Sequence, residues 1–191
     1  MKKMIIALVA LFTVTTVTMA ESKTYASMGM AVELIDESDT EISVDLQAGV
    51  AIELKGGIFF DNNFGIEGSV SKSIKNAEGS EVFFNKNFSA EADVRTIYLF
   101  GTYNYRLNSS FFIIPKIGFT HTNIDLNLKM DGDRLENTED SNSDFSYGVE
   151  AQYSLNSSTN IYMGYTLYNL EFDGSSFDGS HLSVGIQQYF K

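Results

Sequence analysis

The sequence contains no cysteine, a single proline and two histidines among its 191 residues. Without cysteine there is neither a disulfide framework nor a thiolate metal site. Basic residues are also scarce, since 13 Lys and Arg stand against 25 Asp and Glu, for a formal net charge of −12. Nucleic-acid-binding proteins need Lys and Arg to neutralise phosphates, so this composition excludes that class of partner.

Long apolar runs are missing as well, and the first twenty residues differ in composition from the rest. Lys2 and Lys3 precede an apolar run at residues 4–14, which small and threonine residues follow as far as Ala20. This pattern is typical of a secretory signal peptide, and the run is too short for a membrane helix, which needs about 20 apolar residues. We predict a signal peptide at 1–20 and a single mature domain at 21–191.

Apolar and polar or small residues alternate along most of the mature chain. The longest example is 43–60, where the even-numbered residues are almost all apolar. A period of two is typical of a β-strand with one apolar face, and a tilted strand of about 9–11 residues crosses a bilayer. The sequence predicts eight such strands: 24–34, 43–60, 64–74, 90–107, 111–130, 145–155, 160–170 and 181–190.

In two of these strands the apolar residues change face partway. In 90–107, Tyr98 and Phe100 continue an outward apolar set that later residues contradict, and in 111–130 the apolar parity changes after residue 120. An extra residue restores the face, so we predict one β-bulge near Thr96 and another within 121–123. Pro115 has no amide hydrogen, so we expect it at a strand end or a bulge.

The predicted connections alternate between short and long. The short ones are 61–63, 108–110 and 156–158, and the long ones are 35–42, 75–89, 131–144 and 171–180. Outer-membrane barrels combine short periplasmic turns, longer external loops and an even strand number, which leaves both termini periplasmic. The pattern predicts an all-β fold, an eight-stranded antiparallel up-and-down transmembrane β-barrel. A soluble barrel or sandwich has the same period, but the Gly, Ser, Glu, Lys and Gln of the second face suit a polar lumen.

The end of the chain carries a more specific signal. Ser183 is followed by Gly185 and then by Phe190, an order that resembles the assembly signal of outer-membrane barrels, although Gln188 stands at a usually apolar position and Lys191 follows the final Phe. The whole mature chain resembles small eight-stranded outer-membrane β-barrels of the OmpA/OmpX type. The resemblance implies a monomer without cofactor in the cell outer membrane, in contact with lipid and lipopolysaccharide and folded by the barrel assembly machinery.

Charged residues occur on the faces that we expect to line the lumen. Counted along the strands from the short turns, six polar residues lie at similar heights: Glu53, Lys55, Glu67, Lys116, Glu150 and Gln152. Unpaired buried charge is costly, so opposite signs at one level indicate a paired network. Eight strands leave an interior that side chains nearly fill, which favours a plugged core over a gate or narrow pore. Phe59, which also faces inward, is expected to cap the lumen near the first turn.

The long links contain an apolar group, made of Val82, Phe83, Phe84 and Phe88. It is either a contact surface for a host or cell-surface partner, or a continuation of the strands beyond the membrane. Links 35–42 and 131–144 are rich in carboxylates but lack the spacing of an EF-hand, so we interpret them as solvated loops without a metal site.

The two histidines, His121 and His181, are expected near the external rim. No base, nucleophile and orienting group occur together, so the chain is not expected to be an enzyme. We predict an integral outer-membrane protein whose external loops serve a structural or surface-interaction role, in envelope integrity or adhesion. The alternative is a narrow porin-like channel for small solutes through the lumen.

Overall fold

The computed structural model describes residues 22–37, 49–75, 77–83, 86–130, 133–172 and 175–190. These ranges contain ten strand segments: β1 Lys23–Glu37, β2 Gly49–Phe59, β3 Phe64–Lys75, β4 Ala77–Phe83, β5 Lys86–Tyr103, β6 Tyr105–Arg106, β7 Phe111–Met130, β8 Asp133–Ser154, β9 Thr159–Phe172 and β10 Ser175–Phe190. Across the same ranges, no helix is long and apolar enough to cross a membrane.

The ten segments form eight barrel strands. β3 and β4 are separated by one residue and both pair with β5, while β5 and β6, also one residue apart, both pair with β7. All neighbours are antiparallel and consecutive in sequence, and β1 pairs with β10 to close the sheet. The predicted eight-stranded up-and-down barrel is therefore confirmed.

Side chains alternate between the outer wall and the lumen, as the sequence predicts for most strands. In β2, Ile52 and Leu54 are 43% and 46% exposed, whereas Glu53 between them is 4% exposed. The outer wall is apolar on every side, as in transmembrane barrels, which meet lipid with this surface. We call these side chains the apolar belt: Met28, Met30, Ile52, Leu54, Phe64, Ile66, Val70, Leu99, Ile117, Phe119, Phe145, Tyr147, Val149, Ile161, Met163, Tyr165, Leu182, Val184 and Ile186.

The sequence prediction of which β5 side chains face outward was wrong. Tyr98 and Phe100 are 2% and 3% exposed and point into the lumen, whereas Arg95 is exposed. The pairings of β5 with β3 and β7 show no register shift near Thr96, so the predicted bulge is not there. The physical reason is that the lumen contains an aromatic layer, in which Tyr98 and Phe100 pack with Tyr168.

The bulge predicted at 121–123 in β7 was also wrong. Thr122 is buried, and Ile124, on the same face, packs against the aromatic layer. The β7–β8 register is continuous at 121–123 and shifts instead between Leu128 and Lys129. One face of β7 therefore changes from polar to apolar because it passes from the polar middle of the lumen into the aromatic layer.

Pro115 lies inside β7 and is neither at its end nor at a bulge, contrary to expectation. Opposite it, however, the ladder to the preceding strand is interrupted, since pairing stops at Thr102↔Lys116 and resumes at Tyr105↔Ile113. Proline donates no amide hydrogen, which accounts for this gap.

Three of the four predicted long links consist largely of strand. Link 75–89 contains β4 and the start of β5, link 131–144 is mostly β8, and link 171–180 is mostly β9 and β10. Backbone pairing continues beyond the apolar belt, where the sequence no longer alternates between apolar and polar residues. Val82 and Phe83 lie in β4 and Phe88 in β5, which fits the strand-continuation alternative. Phe84 and residues 38–48 lie outside the described residues.

The short turns are confirmed, and asparagine side chains stabilise them. The Oδ1 atoms of Asn108 and Asn156 each accept two backbone amide hydrogens at 2.9–3.0 Å. Asn63 has a φ of 66°, a left-handed conformation that asparagine tolerates in turns. We call the end of the barrel with these turns the turn end and the opposite end the loop end.

Candidate functional site

A network of charged side chains fills the middle of the lumen. Lys116 Nζ donates to Glu67 Oε1 at 2.6 Å and to Glu150 Oε2 at 2.7 Å. Lys55 Nζ donates to the same Glu150 oxygen at 2.5 Å and lies 3.8 Å from Glu53 Oε2. These residues come from β2, β3, β7 and β8, and two of the contacts, Lys116 with Glu67 and Lys55 with Glu150, connect strands that are not neighbours in the sheet.

Amide side chains extend this network. Gln152 Nε2 donates to Glu150 Oε1 at 2.6 Å and to Gln187 Oε1 at 3.1 Å. Asn160 Nδ2 donates to Gln152 Oε1 at 2.8 Å, and the Tyr189 hydroxyl donates to that oxygen at 3.2 Å. The structure thus brings together all six residues that the sequence placed in one lumen layer. Gln187 and Asn160 were not among them, although both belong to the polar face of a strand.

A second part of the network, around His181, was missed. His181 is 2% exposed and lies inside the barrel, with Nδ1 at 3.5 Å from Glu33 Oε1 and Nε2 at 3.4 Å from Glu53 Oε1. Ser71 donates to Glu33 at 3.1 Å. One feature of the sequence indicates this contact, because Glu33 occupies a strand position whose side chain is predicted to face the lumen. His121, by contrast, is exposed and lies 2.8 Å from the hydroxyl of Ser143.

Apolar layers cover the network on both sides. At the turn end, Phe59 is 4% exposed, stacks on Tyr25 with ring centroids 5.4 Å apart, and packs with Ile114 and Tyr189. The Tyr25 hydroxyl donates to Glu67 at 2.5 Å, which joins this layer to the charges above it. At the loop end, the aromatic layer of β5 and β9 borders His181, whose ring centroid is 5.4 Å from that of Tyr98.

Gly185 and Phe190, the predicted assembly-signal residues, lie in β10. Phe190 is 51% exposed on the outer wall at the turn end. Gly185 faces Gly29 of β1, and the Tyr162 hydroxyl lies close to both glycines. The same hydroxyl donates to Glu53 at 3.2 Å. The missing side chain of Gly185 therefore makes room for a tyrosine that contacts the charged network.

The lumen is closed to water at the level of the network. A water-filled pore would leave the side chains of the network in contact with water inside the barrel. Glu150 is 0% exposed, Glu67 and Gln152 are 1% exposed, and Lys116 is 7% exposed. A cavity of about 10 Å³ next to Glu53, Glu67 and Lys116 has room for about one water molecule.

The charges are arranged to hold strands together. Glu33, Glu53, Glu67 and Glu150 face two ammonium groups and one imidazole, and each ammonium lies within 4 Å of two carboxylates. Buried ions of this kind are tolerated when they are paired and hydrogen-bonded. Among the described residues, no three His, Cys, Asp or Glu side chains are grouped so as to hold a metal ion.

Comparisons with solved structures find the same fold in several bacterial proteins. OprG from Pseudomonas aeruginosa has a TM-score of 0.62 at 12% identity, over 88% of this chain and 96% of that one. Neisserial surface protein A has a TM-score of 0.57 at 12% identity, over 87% and 97% of the two chains. Ail from Yersinia pestis has a TM-score of 0.54 at 17% identity, over 87% and 99%. A comparison with curated protein sequences found no match.

A family model gives the more direct assignment. The model described as outer membrane protein beta-barrel domain matches residues 4–190, which is nearly the whole chain. The closed eight-stranded sheet and the apolar belt have the form that such a membrane location requires. The chain therefore belongs to the outer membrane protein β-barrel domain family.

Proposed function

We propose that this protein is a non-conducting structural barrel of the outer membrane, whose loop-end hairpins serve envelope integrity or adhesion at the cell surface. The observation that supports this proposal is the closed lumen, in which Glu150 and its partners leave no path for water. A barrel without an open interior acts through its wall and its hairpins.

The alternative is a narrow channel for small solutes. Opening it would require the two lysines, each bound between carboxylates, to leave those partners while the apolar layers at both ends also moved. Both steps expose or unpair buried groups, and each is costly. The closed structure therefore favours the structural role.

A structural relative supports the surface role. Ail is described as an attachment invasion locus protein, and one of its crystal structures contains the heparin analogue sucrose octasulfate. A ligand complex of a barrel of this fold supports a binding role for a small barrel. We extend this role to the loop-end hairpins of the present chain. These hairpins are longer than the short connections at the turn end.

The proposed orientation places the loop end outside the cell and both termini in the periplasm, after removal of 1–20. The chain has no native cysteine, so one introduced thiol is its only one. Asn137 lies on β8 beyond the apolar belt, and Ser109 lies in a short turn. The test uses two variants, Asn137→Cys and Ser109→Cys. We expect a membrane-impermeant maleimide to label the Asn137→Cys protein on intact cells. The Ser109→Cys protein should be labelled after lysis. The reverse pattern would contradict the orientation.

We also propose that the β4–β5 hairpin is a contact surface, through Val82, Phe83, Phe84 and Phe88. Replacing all four with serine is expected to reduce adhesion of bacteria expressing the chain to a host-cell monolayer several-fold, because an apolar contact would lose the side chains that form it. The control carries four serine substitutions within 134–139 of the β7–β8 hairpin. Unchanged adhesion at equal surface amounts of protein would remove the hairpin from the proposal.

A further inference from the structure

Both ring nitrogens of His181 face a carboxylate inside the barrel. Nδ1 lies 3.5 Å from Glu33 Oε1, and Nε2 lies 3.4 Å from Glu53 Oε1. The imidazole comes from β10 and the carboxylates from β1 and β2, which are consecutive strands of the sheet. None of the three residues is more than 4% exposed. The ring therefore connects three strands through two buried acidic groups.

The positions of the two carboxylates suit a positively charged ring. A neutral imidazole has an N–H on one nitrogen and a lone pair on the other. In either neutral tautomer, the lone pair would face a carboxylate oxygen of Glu33 or Glu53, which is unfavourable in a buried site. An imidazolium has an N–H on each nitrogen, so it presents a donor to both carboxylates.

The proton on the ring matters most for Glu33. Among the residues that the structure describes, the cationic partner of Glu33 is His181, whereas Glu53 also lies 3.8 Å from Lys55 Nζ. Ser71 donates to Glu33 Oε1 at 3.1 Å, and within the same described ranges Oε2 has no hydrogen-bond partner. A neutral ring would thus leave the Glu33 carboxylate buried without a cation, which is costly.

Other titratable groups near the ring change their charge in different pH ranges. They come from four strands: Glu33 of β1, Glu53 and Lys55 of β2, Tyr98 of β5, and Tyr162 and Tyr168 of β9. In water, glutamate titrates at about pH 4, and tyrosine and lysine titrate at about pH 10. Between about pH 6 and pH 9, histidine is therefore the side chain of this group that changes its charge.

We propose that His181 is a pH-sensitive switch in the lumen. With a proton on each nitrogen it joins β1, β2 and β10 through Glu33 and Glu53, and loss of one proton releases this part of the charged network. The unfolded chain gives up a histidine proton at about pH 6.5. A folded chain that holds this proton binds more protons than the unfolded chain above that pH, so its free energy of unfolding falls as the pH rises.

The charge of the ring is measured by ¹⁵N NMR of untagged, histidine-labelled protein folded in detergent. The chain has two histidines, so the variant H121N leaves His181 as the only imidazole. At about pH 7.5 its spectrum should show a hydrogen on each ring nitrogen. A ring with one protonated nitrogen would overturn the proposal, and this includes the case in which the Glu33 carboxyl holds the proton.

Unfolding in urea at about pH 6 and about pH 9 tests the effect of the charge. The unfolding equilibrium constant of the wild-type chain and of H121N should rise at least about tenfold more between these pH values than that of H181Q. A double-mutant cycle of H181Q and E33Q should give a coupling at about pH 6 that is lost at about pH 9. A purely structural contact would give the same coupling at both pH values.

Two results of the unfolding experiments would overturn the switch. The first is an equal pH dependence in the wild-type chain and H181Q, and the second is a coupling between Glu33 and His181 that does not change with pH. If H181Q does not fold, E33Q alone provides the test. It removes one carboxylate partner of the ring, so its pH dependence should be smaller than that of the wild-type chain, and an equal dependence would contradict the proposal.

Discussion

Replacing Glu150 with alanine is expected to destabilise the barrel by about 3–5 kcal/mol, the cost of removing one partner from a buried ion pair. One Glu150 oxygen accepts from Lys55 and Lys116, and the other accepts from Gln152. Without the carboxylate, two buried ammonium groups lose their shared partner. The free energy of unfolding in urea, measured on protein folded in detergent or liposomes, reports this loss.

The control for this variant is D178A, which removes an exposed carboxylate on the outer wall and should change stability little. A double-mutant cycle then isolates one pair. The variant K116M/E150M should be destabilised by less than the sum of K116M and E150M, with a coupling of about 1 kcal/mol or more. Additive effects would show that Lys116 and Glu150 are not paired.

Replacing Gly185 with valine is expected to destabilise the folded barrel by about 1–3 kcal/mol or to prevent folding, because it overpacks the β1–β10 seam. A Cβ atom at this position would lie 2.3 Å from the Met28 carbonyl oxygen and 2.6 Å from the Tyr162 hydroxyl. The second contact is relieved in G185V/Y162F, which should recover part of the loss. Gly101→Val is the matched control, since its Cβ has no neighbour closer than 3.7 Å.

Refolding of purified G185V in detergent separates two roles of this glycine. If Gly185 is needed for packing against Tyr162, its replacement lowers stability even when no assembly factor is present. The refolded variant should therefore have a lower free energy of unfolding than the refolded wild-type chain. If G185V refolds with wild-type stability and is defective in cells alone, Gly185 acts through the assembly signal and the packing account is wrong.

The barrel could be predicted from the sequence where its two faces meet different surroundings. Along β2, the outer face favours apolar side chains and the lumen face favours polar ones. The residue types of Ile52 and Glu53 therefore predict which face each occupies. Along β5 this contrast is absent, because Tyr98 and Phe100 point into the lumen and pack there in an aromatic layer with Tyr168. In the hairpins beyond the apolar belt, the alternation of apolar and polar residues disappears from the sequence, although the strands remain paired.

The lumen network could be predicted in part for a related reason. Lys55, Lys116 and Glu150 stand at equal sequence distances from the short turns, and these distances place them at one height. Counting from the turns ignores the stagger between tilted strands, which a closed barrel requires. His181 begins a strand whose start the sequence assigned to the rim, and Glu33 lies near the end of the first predicted strand. The stagger brings both residues inside the barrel, with His181 beside Glu33 and Glu53.

Conductance across a planar bilayer measures most directly whether the lumen is closed. Purified, folded protein reconstituted from detergent should give no steady current above the lipid background, because Lys55, Lys116 and Glu150 block the polar middle of the barrel. A general porin reconstituted in the same way shows that insertion would be detected. Steady, resolvable current steps from the wild-type chain would contradict the closed lumen and favour the channel.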